Sequence, residues 1–274
     1  GQVYRRDFDL DGRIASLTLG PDTAAYGSES WMFGYDSLNR LTTAALPPGE
    51  TLAYAYDGNG NRKQETRAGA VTNYGYFAAS NRLQATTGAG SRSFSYDAAG
   101  NLKSIGSVAF TYDGRGRLTQ TSHGYRYAIN GLGQRVSKSG PGGITYFVYD
   151  EQGRLIGEYD AAGAARQELV YLGDTPVASM RPGSGGGIAI YPIYTDHLNT
   201  PRLIANQAKQ TVWEWKTDTF GAGAANENPG GLGVFSFNLR FPGQYYDAET
   251  GLHYNYFRDY DPSIGRYAES DPIG

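Results

Sequence analysis

A short phrase recurs along this chain, and no other feature limits the architecture as much. It begins Tyr35-Asp36-Ser37-Leu38-Asn39-Arg40-Leu41: an aromatic residue, Asp, a few turn-formers, Arg or Asn, then an aliphatic residue. It returns at Tyr56-Asp57, Tyr96-Asp97, Tyr112-Asp113 and Tyr149-Asp150, with looser copies starting at Phe8, Tyr76, Tyr127, Tyr171 and Tyr246. From Tyr35 to Tyr171 the copies start 15 to 22 residues apart, the signature of a repeat architecture.

About 20 residues hold two strands of ordinary length and their connections. Each copy has one strong turn. Asp at its start can accept hydrogen bonds from its own backbone two residues on, and Gly or Asn near its end tolerates a positive φ. That predicts a hairpin loop of about three to five residues closing on a left-handed residue. The flanks alternate as strands do, as in Ser91-Arg92-Ser93-Phe94-Ser95-Tyr96. Helix is disfavoured: 39 of 274 residues are Gly, about twice ordinary usage, and they fall everywhere. The stretch free of Gly from Asp196 to Phe220 is interrupted by Pro201 and contains the strand-like Thr211-Val212-Trp213-Glu214-Trp215. The fold class expected is all-β, tandem hairpins joined into a curved, spiralling sheet. Twenty-three Tyr, in phase with the turns, suit a half-buried sheet face whose polar tips meet water or a polar lumen. Residues 1–182 read as the hairpin array and 188–274 as a terminal core. Between them Gly183-Ser184-Gly185-Gly186-Gly187 reads as a flexible connection or one long hairpin loop.

Composition narrows function. Net charge is −3, and the basic residues are scattered rather than striped, so no nucleic-acid partner is expected. No apolar run approaches the roughly 18 residues of a membrane span. There is no Cys, which excludes disulfides and thiolate metal sites. Asp7-Phe8-Asp9-Leu10-Asp11-Gly12 matches the first half of a calcium loop, but Thr18 stands where the bidentate Glu is needed. His123, His197 and His253 have no metal-ligand spacing. No metal and no cofactor are expected, and no Ser sits in a nucleophile elbow.

The phrases resemble the YD repeats of the Rhs family, whose relatives include the Tc-toxin C subunits and the teneurins. The ending is more specific. Gly243-Gln244-Tyr245-Tyr246-Asp247 runs through Phe257-Arg258-Asp259-Tyr260-Asp261-Pro262 to Gly265-Arg266-Tyr267 and Ser270-Asp271-Pro272-Ile273-Gly274, which is similar to the Rhs-associated core of bacterial polymorphic toxins. Tyr194-Thr195-Asp196-His197-Leu198-Asn199-Thr200-Pro201-Arg202 is another phrase of that kind. The resemblance implies a sheet that spirals into a hollow shell around a toxic C-terminal domain, and self-cleavage just past an Asp-Pro-x-Gly-Leu motif. The chain stops at Gly274, before that Leu, and starts as though within a repeat. It therefore reads as the C-terminal part of a longer shell, with the scissile bond and toxin outside it. Implied partners are that toxin domain, the preceding shell repeats and components of a secretion system. The implied setting is an effector folded in the producer's cytoplasm, then secreted or delivered in competition between bacteria.

The same resemblance makes Asp259 and Asp271, twelve residues apart, a catalytic pair, with Arg258 directly before the first. Two close carboxylates share a proton and divide the base and acid roles. Arg258 would hold a carboxylate or an oxyanion. At most this makes the chain an aspartyl protease acting on itself. In a regular strand Arg258 and Asp259 point to opposite faces, so a bulge would be needed to bring them together. Read without the resemblance, Asp259 and Asp261 are favoured as solvated strand-end carboxylates, and Asp271-Pro272 as a turn. A competing function is a carbohydrate-binding or adhesive surface using Trp213 and Trp215. An open groove at those residues favours sugar; a packed position favours a wall.

Overall fold

The structure is a computed structural model that describes residues 2–21 and 29–271. Every regular element among the described residues is a β-strand. The chain forms two compact units, Gly1–Ser95 and Tyr96–Gly274. In the first, nine strands from Gln2–Phe8 to Arg92–Tyr96 pair antiparallel, each with the next. In the second, twelve strands from Leu102–Ile105 to Thr211–Glu214 do the same. Four short strands, Tyr245–Asp247, Leu252–Asn255, Arg258–Asp261 and Arg266–Tyr267, make a separate antiparallel meander.

Each Tyr-Asp phrase is a hairpin turn, as its residues predict. In the copy at Tyr35, the Asp36 amide donates to Arg40 O and the Asn39 amide donates to Asp36 O, both at 3.0 Å. Asp36 Oδ1 accepts from the Leu38 and Arg40 amides, also at 3.0 Å. Asn39 closes the loop at φ 62°, the left-handed conformation that Asn and Gly tolerate. The strand register slips at the Tyr, between Gly34 and Tyr35. The same slip recurs at Tyr56, Tyr76, Tyr112 and Tyr149. A bulge bends and twists its strand, so every phrase adds local curvature to the sheet that carries it.

The phrase also explains how neighbouring hairpins hold together. Tyr35 Oη donates to Ile14 O at 2.9 Å, Tyr56 Oη to Leu41 O at 2.7 Å and Tyr76 Oη to Arg62 O at 2.7 Å. Tyr112, Tyr149 and Tyr171 donate likewise to Leu102, Arg135 and Leu155. In every case the acceptor is the residue that follows the preceding turn, at the phrase's aliphatic position. The tips of these tyrosines therefore meet the backbone of an earlier hairpin rather than water or a lumen, which corrects the sequence expectation. The phrase arginine completes the joint. Arg13 and Arg40 lie 5.0 and 4.8 Å from the rings of Tyr35 and Tyr56 and donate to the Asp36 and Asp57 carbonyls. A hydroxyl–carbonyl bond of this kind contributes about 1 kcal/mol, and a cation over a ring a similar amount.

Some copies differ from the sequence reading. The turn of the Tyr127 copy is centred on Asn130, two residues later than its aromatic start implies. The Tyr171 copy is a tight turn at Gly173-Asp174 between Leu172 and Thr175. The same Asx turn also forms at Asp160, Asp196, Asn206 and Asp218, where the residue before the turn is not always aromatic. Gly183–Gly187 closes the hairpin in which Pro182 faces Ile188. Of the two sequence readings of that segment, the loop is the one realised. Asp9, the calcium candidate, accepts from the Asp11 and Arg13 amides and pairs with Arg13 at 2.6 Å, so its carboxylate is used by its own turn.

The second unit has the larger core. Phe147, Leu155, Leu169, Ile193, Ile204, Val212 and Trp213 from its strands pack with Phe235 and Phe237 from the irregular stretch 216–244. Tyr245 and Tyr254 of the meander join the same cluster. The meander is thereby pinned to the hairpins that precede it.

Candidate functional site

Trp213 and Trp215 are 0 % and 1 % exposed. Trp213 meets Phe237 edge-on at 5.3 Å, Trp215 packs on Phe241 at 5.5 Å, and Trp215 Nε1 donates to Gly223 O at 2.9 Å. Neither ring offers a face to a sugar, so the packed alternative holds and the stacking-surface reading falls.

The strand Arg258–Asp261 has the regular alternation of a meander strand, with no bulge in its pairing. Arg258 therefore faces one side and Asp259 the other. On the outer side Arg258 pairs with Asp271 at 2.9 Å and lies 4.0 Å from the ring of Tyr267. Asp271 is exposed, and Pro272, Ile273 and Gly274 of the cleavage motif lie outside the described residues. On the inner side Asp259 is 4 % exposed. The Asp259 amide donates to Glu269 Oε2 at 2.7 Å, and the Ala268 amide donates to Asp259 O at 2.7 Å. The Leu102 amide in turn donates to Ala268 O at 2.8 Å, which fastens the segment after Tyr267 to the first strand of the unit. The other oxygens of the two carboxyls, Asp259 Oδ1 and Glu269 Oε1, are buried and receive no hydrogen bond. The structure thus brings Arg258 to Asp271 and Asp259 to Glu269. Neither Asp259 nor Asp261 is a solvated strand-end carboxylate: both are buried, and Asp261 Oδ1 accepts from the Ser263 amide at 2.9 Å.

The electrostatics follow from the burial. Loss of water pushes the Asp259 carboxyl up to about 6; the Arg135 guanidinium opposes this and Asp247 adds to it. Glu269, also buried and beside the Asp259 charge, is pushed well above the ordinary carboxyl range. Arg135 is the cation of this interior. Its Nη1 meets Asp247 Oδ2 at 2.5 Å, and the rings of Tyr127 and Tyr254 lie 4.9 and 4.0 Å from its guanidinium carbon. Asp247 also accepts from Lys138 Nζ at 2.9 Å, and its carboxyl is held below the usual range by these two cations against the cost of burial. A buried carboxyl raised in this way, beside a second raised one, is suited to exchanging protons. His253 has a structural place: Nδ1 is 2.8 Å from Gln244 Oε1, with the rings of Trp215, Tyr246 and Tyr260 around it.

Two residues of this interior, Glu269 and Arg135, were not singled out from the sequence. Arg135 had a signal, since it stands where most phrases carry an aliphatic residue. Glu269 had none beyond being a carboxylate two positions before Asp271.

The teneurin YD-shell family model matches residues 30–172 and 188–273. The chain belongs to the teneurin YD-shell family of Rhs and YD-repeat proteins. The double-stranded DNA deaminase toxin A of Burkholderia cenocepacia (strain H111) is 30% identical over 202 residues, 60% of this chain and 14% of that protein. The probable deoxyribonuclease RhsA of Dickeya dadantii (strain 3937) is 27% identical over 313 residues, 100% of this chain and 21% of that protein. A chain from the structure of the Photorhabdus luminescens Tc holotoxin pore aligns at 15% identity and TM-score 0.34, covering 100% of this chain and 22% of that one. This YD-shell chain thus spans well under a quarter of the length of these relatives.

Proposed function

We propose that this YD-shell chain is a wall segment of an Rhs-type β-shell that encloses a C-terminal toxin, and that its last strands cut the chain to free that toxin. The shell role is supported by the family and by the packing of Trp213 and Trp215, which leaves no sugar-stacking face. The cutting role is carried by one observation: Asp259 is buried on the inner side of its strand, beside the also buried Glu269 whose Oε2 accepts from its amide at 2.7 Å. In this reading Asp259 takes a proton from the attacking water, and Asp271 assists its transfer to the leaving amide nitrogen. Arg258 holds Asp271 until the new bond is presented. Pro272 fixes its own φ and restricts Asp271, which narrows the geometries in which that bond arrives. The partners are the toxin and the remaining shell repeats, and the setting is an effector delivered by a secretion system.

The test extends the chain past Gly274 with Leu and a reporter domain and follows it on a gel. Cleavage at that junction is expected at a rate independent of protein concentration, because the reaction is within one chain. Asp259→Asn and Asp271→Asn each block it with the fold intact, and Arg258→Ala slows it. Parent-like cleavage in both Asn variants would sink the reading.

A further inference from the structure

Glu269 is the group in this interior that the proposed chemistry leaves unused. It is 7 % exposed, yet it lies beside a second buried carboxyl. Its Oε2 is occupied by the Asp259 amide, while Glu269 Oε1 and Asp259 Oδ1 receive no N–H or O–H donor. Two buried carboxyls tied by the Asp259 amide are least costly when one proton is held between them, because both cannot carry charge out of water. Arg135 adds an independent sign of a built site. It is fully enclosed, and its Nε and Nη2 have no acceptor. Arg135 and Asp259 both line a cavity of about 10 Å³, closed by Arg117, Tyr127, Tyr254 and Phe257. That is the lower limit for one water, which would accept from Arg135 and donate to Asp259.

We propose that Glu269 is the positioning residue of Asp259: the two carboxyls hold one proton in common, the proton rests on Glu269, and Asp259 is left as the base facing the cavity. This inference rests on the self-cleavage reading. In the step itself, water oxygen bonds to the carbonyl carbon and Asp259 takes its proton. The C–N bond then breaks, and the departing nitrogen takes the proton that Asp259 removed from the water, with Asp271 beside it. One water is consumed, a carboxylate and an amine form, and the Glu269 proton is not spent. The charged and titratable groups around the pair are Arg135, Asp247 and Glu249, then Tyr112 and Tyr254, and Asp261 on the same strand face. Arg135 is the buried cation among them, and Arg117 is a second cation on the cavity. Arg135 favours one negative charge in the pair and cannot support two.

The first measurement needs no cleavage. Carboxyl-carbon NMR titration of the chain is expected to show Glu269 still protonated at neutral pH, and Glu269→Gln to leave a single raised step for Asp259. A Glu269 midpoint near the ordinary value of about 4.3 would overturn the proposal. The second measurement uses the extended chain. Glu269→Gln keeps a donor toward Asp259 and an acceptor for its amide, so cleavage at neutral pH stays within roughly tenfold of the parent, while the parent's decline at alkaline pH disappears. Glu269→Ala, which lacks the donor, slows cleavage by roughly a hundredfold. Identical pH profiles for parent and Gln variant would overturn the proposal even where cleavage is robust. An extended parent that never cleaves defeats the function proposed above, and the NMR titration still decides the pair.

Discussion

The two units treat the same substitution differently. In most phrases the position after the turn is aliphatic, but Arg62 fills it in the first unit and Arg135 in the second. Arg62 finds its partners locally. It pairs with Glu65 at 3.0 Å and lies over the rings of Tyr54 and Tyr74, 4.8 and 5.6 Å away. Arg135 finds its partner 112 residues away, in the Asp247 of the meander. A buried cation inside one hairpin array is a local packing solution. The same cation under a second layer becomes the charge that organises a site. The repeat sets where an arginine points, and the covering segment sets its surroundings.

That contrast is open to direct test, and the largest expected effect comes from stranding each arginine. Asp247→Ala leaves Arg135 buried without its closest counter-charge and should cost the second unit about 3–5 kcal/mol. Glu65→Ala should cost the first unit less than half of that, because Arg62 keeps Tyr74 and lies nearer to water. Denaturant unfolding of the two variants gives the comparison, and equal losses would break it.

Acid sharpens the contrast, since all three His lie in the second unit. Burial, then the nearby Arg240, holds His253 down at about 3 against an ordinary 6.5. Its folded value is depressed, so its stability contribution is complete above about 6.5 and is lost as pH falls toward 3. The loss reaches about 2 kcal/mol by pH 5. Asp259, raised to about 6, acts oppositely: its contribution is present below about 3.9 and is lost as pH rises through 6. The His253 effect is isolated by comparing the parent with His253→Asn between pH 7 and 5. A parent that loses nothing relative to the variant would show that His253 is not held neutral.

Turn glycines give a smaller difference. Gly60 and Gly133 occupy the same turn position, each at φ 85°. Gly60→Ala meets no atom within 4 Å, so it should cost only the left-handed strain of about 1–2 kcal/mol. Gly133→Ala would also place its Cβ 2.8 Å from the Phe257 ring, so thermal unfolding should show a larger loss there. The smallest effect is the hydroxyl ladder. Tyr56→Phe and Tyr149→Phe each remove one donor to a neighbouring hairpin and should cost about 1 kcal/mol in either unit. A loss confined to one unit would mean that the ladder is not a shared device.

The hairpins were legible because their causes are local. Asp36 and Asn39 set a turn within four residues, and the alternation of Arg92–Tyr96 sets a strand without reference to anything distant. The carboxylate arrangement was only half legible. The sequence pointed to Asp259, Asp271 and Arg258, and alternation along a strand already warned that Arg258 and Asp259 face apart. It gave no reason to join Glu269 to Asp259.

The amino-acid sequence by itself determined the repeat, its turns and the all-β class, because each depends on φ preferences and hydrogen bonds within about 20 residues. Only the tertiary structure decided which charges share an interior. Asp247 reaches Arg135, Glu269 reaches Asp259, and Trp213 and Trp215 are shut away, because a meander near the end of the chain folds back over hairpins formed far earlier in it. Burial is what turns those side chains into a proton-sharing pair with a cation beside it. Burial is a property of the layer that covers a residue, and spacing along the chain does not encode it.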